Sequence, residues 1–216
     1  MYRYEPRHMC ALENLALERG FRSVAGIDEA GRGALAGPVV AACVILDERR
    51  IPDRIVDSKK ISDRRRRELK AGIMETAVAV GVGVVDPAVV DEVNVYNATI
   101  IAMKRSVSAM AVRPDFLLID AMKIYDISIS SLSFVKGEDK SVSVAAASII
   151  AKVYRDDIMV ELSERYPEFG FSRHKGYGTA LHEAALLSYG PTEIHRYSYK
   201  PVRDAMNLWK SKNQNR

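Results

Sequence analysis

The chain has 216 residues, 48% of them apolar, which is enough for a core that folds on its own and excludes a disordered chain. Its net charge of +4 and pI of about 9.0 are compatible with a polyanionic partner but do not identify one. Two cysteines without zinc-type spacing, an N-terminus without an apolar leader and the lack of any bilayer-long apolar stretch indicate a cytoplasmic protein with no membrane contact.

The first part of the chain predicts a helix and then two strands. Apolar residues at helical spacing favour a helix over residues 7–19, which Gly20 ends. A short apolar run over 23–27 predicts a strand with Asp28 and Glu29 at its carboxyl end. The continuous apolar run over 39–46 predicts a buried strand, and residues 47–60 read as a loop.

The remaining elements alternate between strands and helices. Further strands are predicted over 78–85, 116–119 and 127–135, and helices over 62–77, from 87, from 94 or 96 to 112, over 141–166, 179–189 and 201–209. The polar residues after Trp209 should fray. Since no repeat or linker interrupts this order, we expect a mixed sheet with helices packed on it.

Acidic residues follow three of the predicted strands. Asp28 and Glu29 follow the first strand, Asp120 follows another, and Glu138 and Asp139 come shortly after a third. Acids at buried strand ends are costly unless they are paired or bound to metal. If the strands are neighbours, these carboxylates converge, and hard oxygen ligands of this kind suit Mg²⁺ or Mn²⁺. The alternative is that they are loop acids facing solvent.

A glycine turn, Gly31-Arg32-Gly33, lies just beyond the first pair of acids. Paired glycines let the backbone approach a ligand closely, although a plain turn is the alternative. With Gly37 the segment has a loose likeness to a dinucleotide fingerprint, but that motif should open a helix, and a strand is predicted here. A P-loop is also excluded because no Lys-Ser/Thr pair follows Gly37.

Taken together, eight segments of the chain resemble ribonuclease HII of the bacterial type. They occur in that family's order between about residues 24 and 201, and the first alone is highly specific: AGIDEAGRG (25–33), LAGPVV (35–40), DSK (57–59), NVYN (94–97), LID (118–120), VKG (135–137), AAASIIAK (145–152) and HKGY (174–177).

The resemblance implies an α/β fold of the RNase H type, with a five-stranded mixed sheet flanked by helices and a helical C-terminal extension. It implies one domain over residues 1–216, with a helical lead-in over about 1–22 and a helical C-terminal part over about 178–211. The implied activity is endonucleolytic cleavage of RNA in RNA–DNA hybrids and on the 5′ side of single ribonucleotides in duplex DNA, which leaves 5′-phosphate and 3′-hydroxyl ends. Such an enzyme serves ribonucleotide excision repair and DNA replication.

The resemblance also implies the metal ligands. Asp28, Glu29 and Asp120 match three of the family's four metal-binding acids, which hold two Mg²⁺ or Mn²⁺ ions when substrate is bound. The fourth is usually an aspartate directly after Lys-Gly. Here Glu138 has that position, and Asp139 is the alternative. Ala34, where proline is common in the family, is a second departure.

Two further sets are implied to bind substrate. Gly31, Arg32, Gly33 and Tyr177 match the set that senses the RNA-to-DNA junction. Lys59, Asn97, Ser148 and Lys152 match positions near the phosphate backbone, although Ser148 could instead pack its helix and Asn97 could cap one. The histidines lack metal-site spacing and are interpreted as structural or solvent-facing. We expect a monomer, and the sequence leaves the question of protein partners open.

Overall fold

The computed structural model describes residues 10–52, 55, 58, 61–137 and 140–214, without the side chains of 213 and 214. As predicted, these residues form a five-stranded mixed sheet with helices around it. The strands are β1 (Val24–Ala30), β2 (Val39–Ile45), β3 (Ala79–Val85), β4 (Phe116–Asp120) and β5 (Ser130–Phe134). The helices are α1 (Ala11–Glu18), α2 (Asp63–Thr76), α3 (Pro87–Ser108), α4 (Val142–Arg165), α5 (Phe171–His174), α6 (Ala180–Tyr189) and α7 (Lys200–Gln214).

The strand order across the sheet is β3-β2-β1-β4-β5. β1 pairs antiparallel with β2 and parallel with β4, and β4 pairs parallel with β5. β1 is therefore the central strand. All seven residues of β2 are buried, which explains their unbroken apolar run.

The first turn of α4 packs directly on the backbone of β1. A Cβ atom added to Gly26 would lie 2.1 Å from the carbonyl carbon of Ser143, so only glycine fits at this point. The alanine-rich start of α4 is fully buried for the same reason, because small side chains let helix and sheet approach closely. This contact places the start of α4 against Gly26, which is two residues before Asp28 on β1.

The chain divides into two compact units. The first comprises Met1–Ala30, Val40–Val84 and Ile100–Val153, and its core joins sheet residues to α2 and the first half of α4. The second comprises Gly31–Val39, Val85–Thr99 and Tyr154–Arg216. Its core combines aliphatic side chains with the aromatic residues Tyr166, Phe169 and Phe171.

Element boundaries agree with the sequence prediction at one break and differ at the C-terminus. The predicted break between a helix from 87 and a second from 94 or 96 is present, because Asn94, inside α3, has the non-helical angles φ 68 and ψ 163 and two helices meet there at a kink. α7 continues to Gln214, and the predicted fraying after Trp209 is wrong. Its last turn carries Lys212, and a cation there is stabilised by the negative end of the helix dipole. None of the described helices is long and apolar enough to cross a lipid bilayer.

Candidate active site

Two of the predicted metal ligands lie in neighbouring strands. The prediction that the first strand ends before Asp28 and Glu29 is wrong, because β1 continues through both acids. β1 and β4 run parallel, and their register pairs Ile27 with Ile119. Asp28 and Asp120 are the next residues along the two strands. Adjacent strands are about 4.8 Å apart, so both carboxylates lie at the same edge of the sheet.

Asp28 is almost completely buried, with 7% of its surface exposed. Its Oδ1 atom accepts a hydrogen bond of 2.7 Å from the backbone N–H of Glu29. On the other side, β2 places the small residues Ala42 and Ala41 opposite Asp28 and Glu29. A buried carboxylate is stable only when hydrogen bonds or a cation compensate its lost hydration.

Asp120 connects this edge to the segment after β5. Its Oδ1 atom accepts a hydrogen bond of 2.7 Å from the backbone N–H of Gly137. The N–H groups of Lys140 and Ser141 in turn donate to the carbonyl oxygen of Gly137. Glu138, the predicted fourth ligand, follows Gly137 in the chain. It and the alternative, Asp139, lie outside the described residues.

The described residues do not bring three metal ligands together at one point. Among those residues, no group of three or more His, Cys, Asp or Glu side chains lies close enough to hold a metal ion. The Oδ1 atoms of Asp28 and Asp120 are instead directed to main-chain amides. The described ligands thus share an edge of the sheet without forming a complete metal site.

The glycine turn lies in the second unit and is anchored by a buried arginine. Gly31 has φ 95, which favours glycine. The carbonyl oxygen of Arg32 accepts hydrogen bonds from Nη1 of Arg196, at 2.9 Å, and from the hydroxyl of Tyr199. Arg196 is fully buried and also donates from Nε and Nη2 to the carbonyl oxygen of Gly37.

Tyr177 belongs to a segment that is hydrogen-bonded to the residues following this turn. The N–H groups of Leu35 and Ala36 both donate to the carbonyl oxygen of Gly176, at 2.8 and 3.3 Å. The ring of Tyr177 is half-buried, and the guanidinium carbon of Arg155 lies 5.3 Å from its centroid. The structure therefore brings the glycine turn and the Tyr177 segment together within one unit.

Three histidines pack against one another next to the Tyr177 segment. His182 and His195 are buried, and their Nε2 atoms are 3.0 Å apart. The His174 ring stacks on His182 with centroids 4.7 Å apart. Nδ1 of His182 lies 3.1 Å from the carbonyl oxygen of Tyr177. Burial lowers the pKa of His182 to about 4 and that of His195 to about 3.

The tautomers of the buried pair follow from their partners. The N–H of Thr192 donates to Nδ1 of His195, so that nitrogen carries no proton. His195 must then donate from Nε2 to His182, and His182 donates from Nδ1 to the carbonyl oxygen of Tyr177. The neutral pair is thus a relay of hydrogen bonds that ends on the backbone of Tyr177.

The residues predicted to contact phosphates have varied surroundings. Ser148 is buried, and its hydroxyl is 2.7 Å from that of Ser58. Asn97 donates from its side chain to the carbonyl oxygen of Val93, next to the kink in α3. Lys152 is half-buried one helical turn beyond Ser148. Lys59 lies outside the described residues.

Comparison with known proteins identifies the family. Residues 25–202 match the sequence profile described as Ribonuclease HII. The chain belongs to the ribonuclease HII family. Ribonuclease HII of Acetivibrio thermocellus is 51% identical over 191 residues, which cover 88% of this chain and 75% of that protein. Ribonuclease HII of Caldicellulosiruptor bescii is 44% identical and is covered over 95% of its length, with 90% of this chain.

Solved structures agree with the fold. The ribonuclease H2 of Pyrococcus horikoshii OT3 superposes with a TM-score of 0.75 at 25% identity, covering 88% of this chain and 99% of that one. The RNase HII of Archaeoglobus fulgidus, solved in a complex with PCNA, has a TM-score of 0.69 at 27% identity and covers 84% and 96% of the two chains. The chain is accordingly a ribonuclease H endonuclease that acts on RNA–DNA hybrids with divalent metal ions.

Sequence reasoning about this ribonuclease HII missed its buried arginines. Arg155 and Arg196 are both fully buried, and each donates to several main-chain carbonyl oxygens. For Arg155 a signal was present, because Ala147, Ala151, Arg155 and Met159 recur at four-residue spacing along α4. Residues at that spacing share one helix face, so a charged residue among buried ones marks a structural role.

Proposed function

We propose that this ribonuclease HII also cuts on the 5′ side of single ribonucleotides embedded in duplex DNA, leaving 5′-phosphate and 3′-hydroxyl ends. The observation that carries the proposal is the register of β1 and β4, which brings Asp28 and Asp120 side by side. The hydrogen bond from Gly137 to Asp120 supports Glu138 as a further ligand, since Glu138 is the next residue in the chain.

The donor set fits hard divalent cations. In the proposal, Asp28, Glu29, Asp120 and Glu138 hold two Mg²⁺ or Mn²⁺ ions when substrate is bound, and Asp139 is the alternative fourth ligand. The burial of Asp28 supports this assignment, because a bound cation offsets the cost of desolvating a carboxylate. When bound, two such ions supply an activated water and stabilise the departing 3′ oxygen.

The remaining predicted residues would hold the duplex. In the proposal, Lys59, Asn97, Ser148 and Lys152 contact phosphates, and such contacts fix the register of a duplex without reading its sequence. The half-buried position of Lys152 on α4 is compatible with this role, because its ammonium can extend from a buried stem.

The junction set would distinguish ribose from deoxyribose. Backbone groups of Gly31, Arg32 and Gly33 can hydrogen-bond a 2′-hydroxyl, which is the group by which proteins distinguish RNA from DNA. The Tyr177 ring would pack on the adjacent deoxyribose, where a second 2′-hydroxyl would obstruct it. The hydrogen bonds from Leu35 and Ala36 to Gly176 support a joint role, because they tie the two segments together.

The proposal is tested by mapping the cut in a labelled duplex that carries one ribonucleotide. We expect a single Mg²⁺- or Mn²⁺-dependent cut on its 5′ side, and no cut in the all-DNA duplex of the same sequence. Asp120→Asn should abolish the cut. Asp126→Asn is the matched control, because it makes the same change at a side chain after β4 that is 93% exposed.

Three results would contradict the proposal. Equal cutting of the all-DNA duplex would indicate a nuclease that does not recognise ribonucleotides. A cut on the 3′ side would exclude the assigned product. Undiminished cleavage by Asp120→Asn would remove Asp120 from the active site.

A further inference from the structure

Arg155 is a fully buried arginine that the proposed reaction does not use. It lies on the second half of α4, in the same compact unit as the glycine turn and Tyr177. Arginine is rarely buried unless its charge and its five N–H donors are compensated. The groups that accept hydrogen bonds from Arg155 therefore indicate which part of the structure it stabilises.

The guanidinium group of Arg155 joins two separate segments of backbone. Nε donates to the carbonyl oxygen of Pro38 at 2.9 Å, and Nη2 donates to that of Ala36 at 3.0 Å. Nη1 donates to the carbonyl oxygen of Lys175 at 2.9 Å. One planar group thus fixes the segment after the glycine turn and the segment before Tyr177 at a defined separation.

The same side chain also contacts both ends of the junction set. A Cβ atom on Gly31 would lie 2.0 Å from Nε of Arg155, so the arginine occupies the space in which a side chain would stand. On its other side, the guanidinium carbon lies 5.3 Å from the centroid of the Tyr177 ring, within cation–π distance. Arg155 is therefore in contact with Gly31 and Tyr177 at once.

We propose that Arg155 is a positioning residue for specificity, which holds the Tyr177 ring at a fixed distance from the Gly31-Arg32-Gly33 turn. This proposal rests on the junction role of those residues in the proposed function. In a ribonucleotide-containing duplex, the turn has to meet the 2′-hydroxyl while the ring meets the next sugar. An error in their separation should then harm cleavage at a junction more than cleavage within continuous RNA.

Lysine cannot replace arginine in this role. Its ammonium is a single point charge without a planar face, so it cannot reach three carbonyl oxygens in fixed directions while it stacks on a ring. Although burial lowers the pKa of Arg155 to about 10, the group keeps its charge at neutral pH. Arg155→Lys thus retains the charge and removes the geometry.

The test compares two substrates. We expect Arg155→Lys to lower kcat/KM for a single-ribonucleotide duplex by about tenfold or more, and kcat/KM for a continuous RNA–DNA hybrid by about threefold or less. Arg165→Lys is the matched control, because it makes the same change on the same helix at a side chain that is 68% exposed. It should leave the ratio of the two values unchanged.

The failures of the two proposals are distinguishable. If Tyr177→Ala changes the substrate ratio but Arg155→Lys does not, the role of Arg155 is overturned and the junction set stands. If neither variant changes it, the junction set itself fails. An equal loss of activity on both substrates by a folded Arg155→Lys variant would show a general packing role and would also overturn the proposal.

A second measurement covers the case in which Arg155→Lys does not fold. In the unaltered protein, the NMR signal of the Arg155 Nε–H group should shift when a single-ribonucleotide duplex binds with Ca²⁺ in place of the catalytic ion. The all-DNA duplex should shift it less. Equal shifts with the two duplexes would overturn the positioning role.

Discussion

Lowering the pH from 7 to 5 should destabilise the protein through the buried pair His182 and His195. Burial lowers the pKa of both rings, to about 4 and about 3, so both stay neutral in the folded state at pH 5. In the unfolded chain, each ring regains its ordinary pKa of 6.5 and takes up a proton. Their contribution to stability is therefore present above about pH 6.5 and is lost as the pH falls toward 4.

The size of this effect follows from the width of the pH window. Between pH 6.5 and pH 5, protonation stabilises the unfolded state by about 2 kcal/mol for each ring, at about 1.4 kcal/mol per pH unit. The two rings together should thus lower the free energy of unfolding by about 4 kcal/mol, which is a large share of the roughly 5–15 kcal/mol typical of a protein domain. Protonation of His182 would also break the bond between the two Nε2 atoms, because both would then be donors, and protonation of His195 at Nδ1 would break its bond from the N–H of Thr192.

The assay is urea unfolding of the wild type and of His182→Gln at pH 7 and at pH 5. We expect the free energy of unfolding of the wild type to fall by about 2 kcal/mol more than that of the variant, because the variant lacks one titrating group. Ser188→Ala, on the same helix and hydrogen-bonded to Ala184, is the control and should follow the wild type. Parallel losses in the wild type and His182→Gln would refute the neutral buried pair.

Three other predictions concern residues elsewhere in the chain. Tyr177→Ala should lower kcat/KM for a single-ribonucleotide duplex at least about tenfold more than for a continuous hybrid, and equal losses would count against junction sensing. Glu138→Gln should cost more than the roughly hundredfold lost with a supporting residue, while Asp139→Asn should cost less, and the reverse order in a cleavage assay would make Asp139 the fourth ligand. Burial raises the pKa of Glu13, so its protonated form stabilises the fold below the ordinary pKa of 4.5 and that stability is lost as the pH rises. In thermal unfolding, Glu13→Gln should therefore gain stability relative to the wild type between pH 4.5 and 8, and a constant difference would contradict this assignment.

β1, β2 and β4 were predictable because they are mostly buried apolar runs, whereas β5 is mostly exposed. The apolar run of β2, the acids near the carboxyl end of β1 and the acid that ends β4 are local features of the sequence. The break at Asn94 was predictable to within two residues, because a second helix could be placed from residue 94 or 96, although the positive φ of Asn94 leaves no signal in the sequence. The continuation of α7 beyond Trp209 was not predictable from polarity, because these polar residues are also adequate helix formers.

The candidate site also has some residues that were predictable from the sequence and others that were not. Asp28, Glu29 and Asp120 could be proposed from the sequence, because each comes directly after a recognisable apolar run. The contacts of Arg155 with Ala36 and Lys175 could not, because they join residues more than a hundred positions apart or depend on loop geometry. The single-domain organisation over residues 1–216 and the monomeric state stay predictions.

The most direct test of the account is an electron paramagnetic resonance titration of the protein with Mn²⁺ in the presence of an uncleavable single-ribonucleotide duplex. We predict two bound Mn²⁺ ions per chain in the wild type, and an affinity at least about tenfold weaker in Asp28→Asn, while Asp126→Asn binds like the wild type. Unchanged Mn²⁺ binding by Asp28→Asn would contradict the central claim that the carboxyl-terminal parts of β1 and β4 form the metal site.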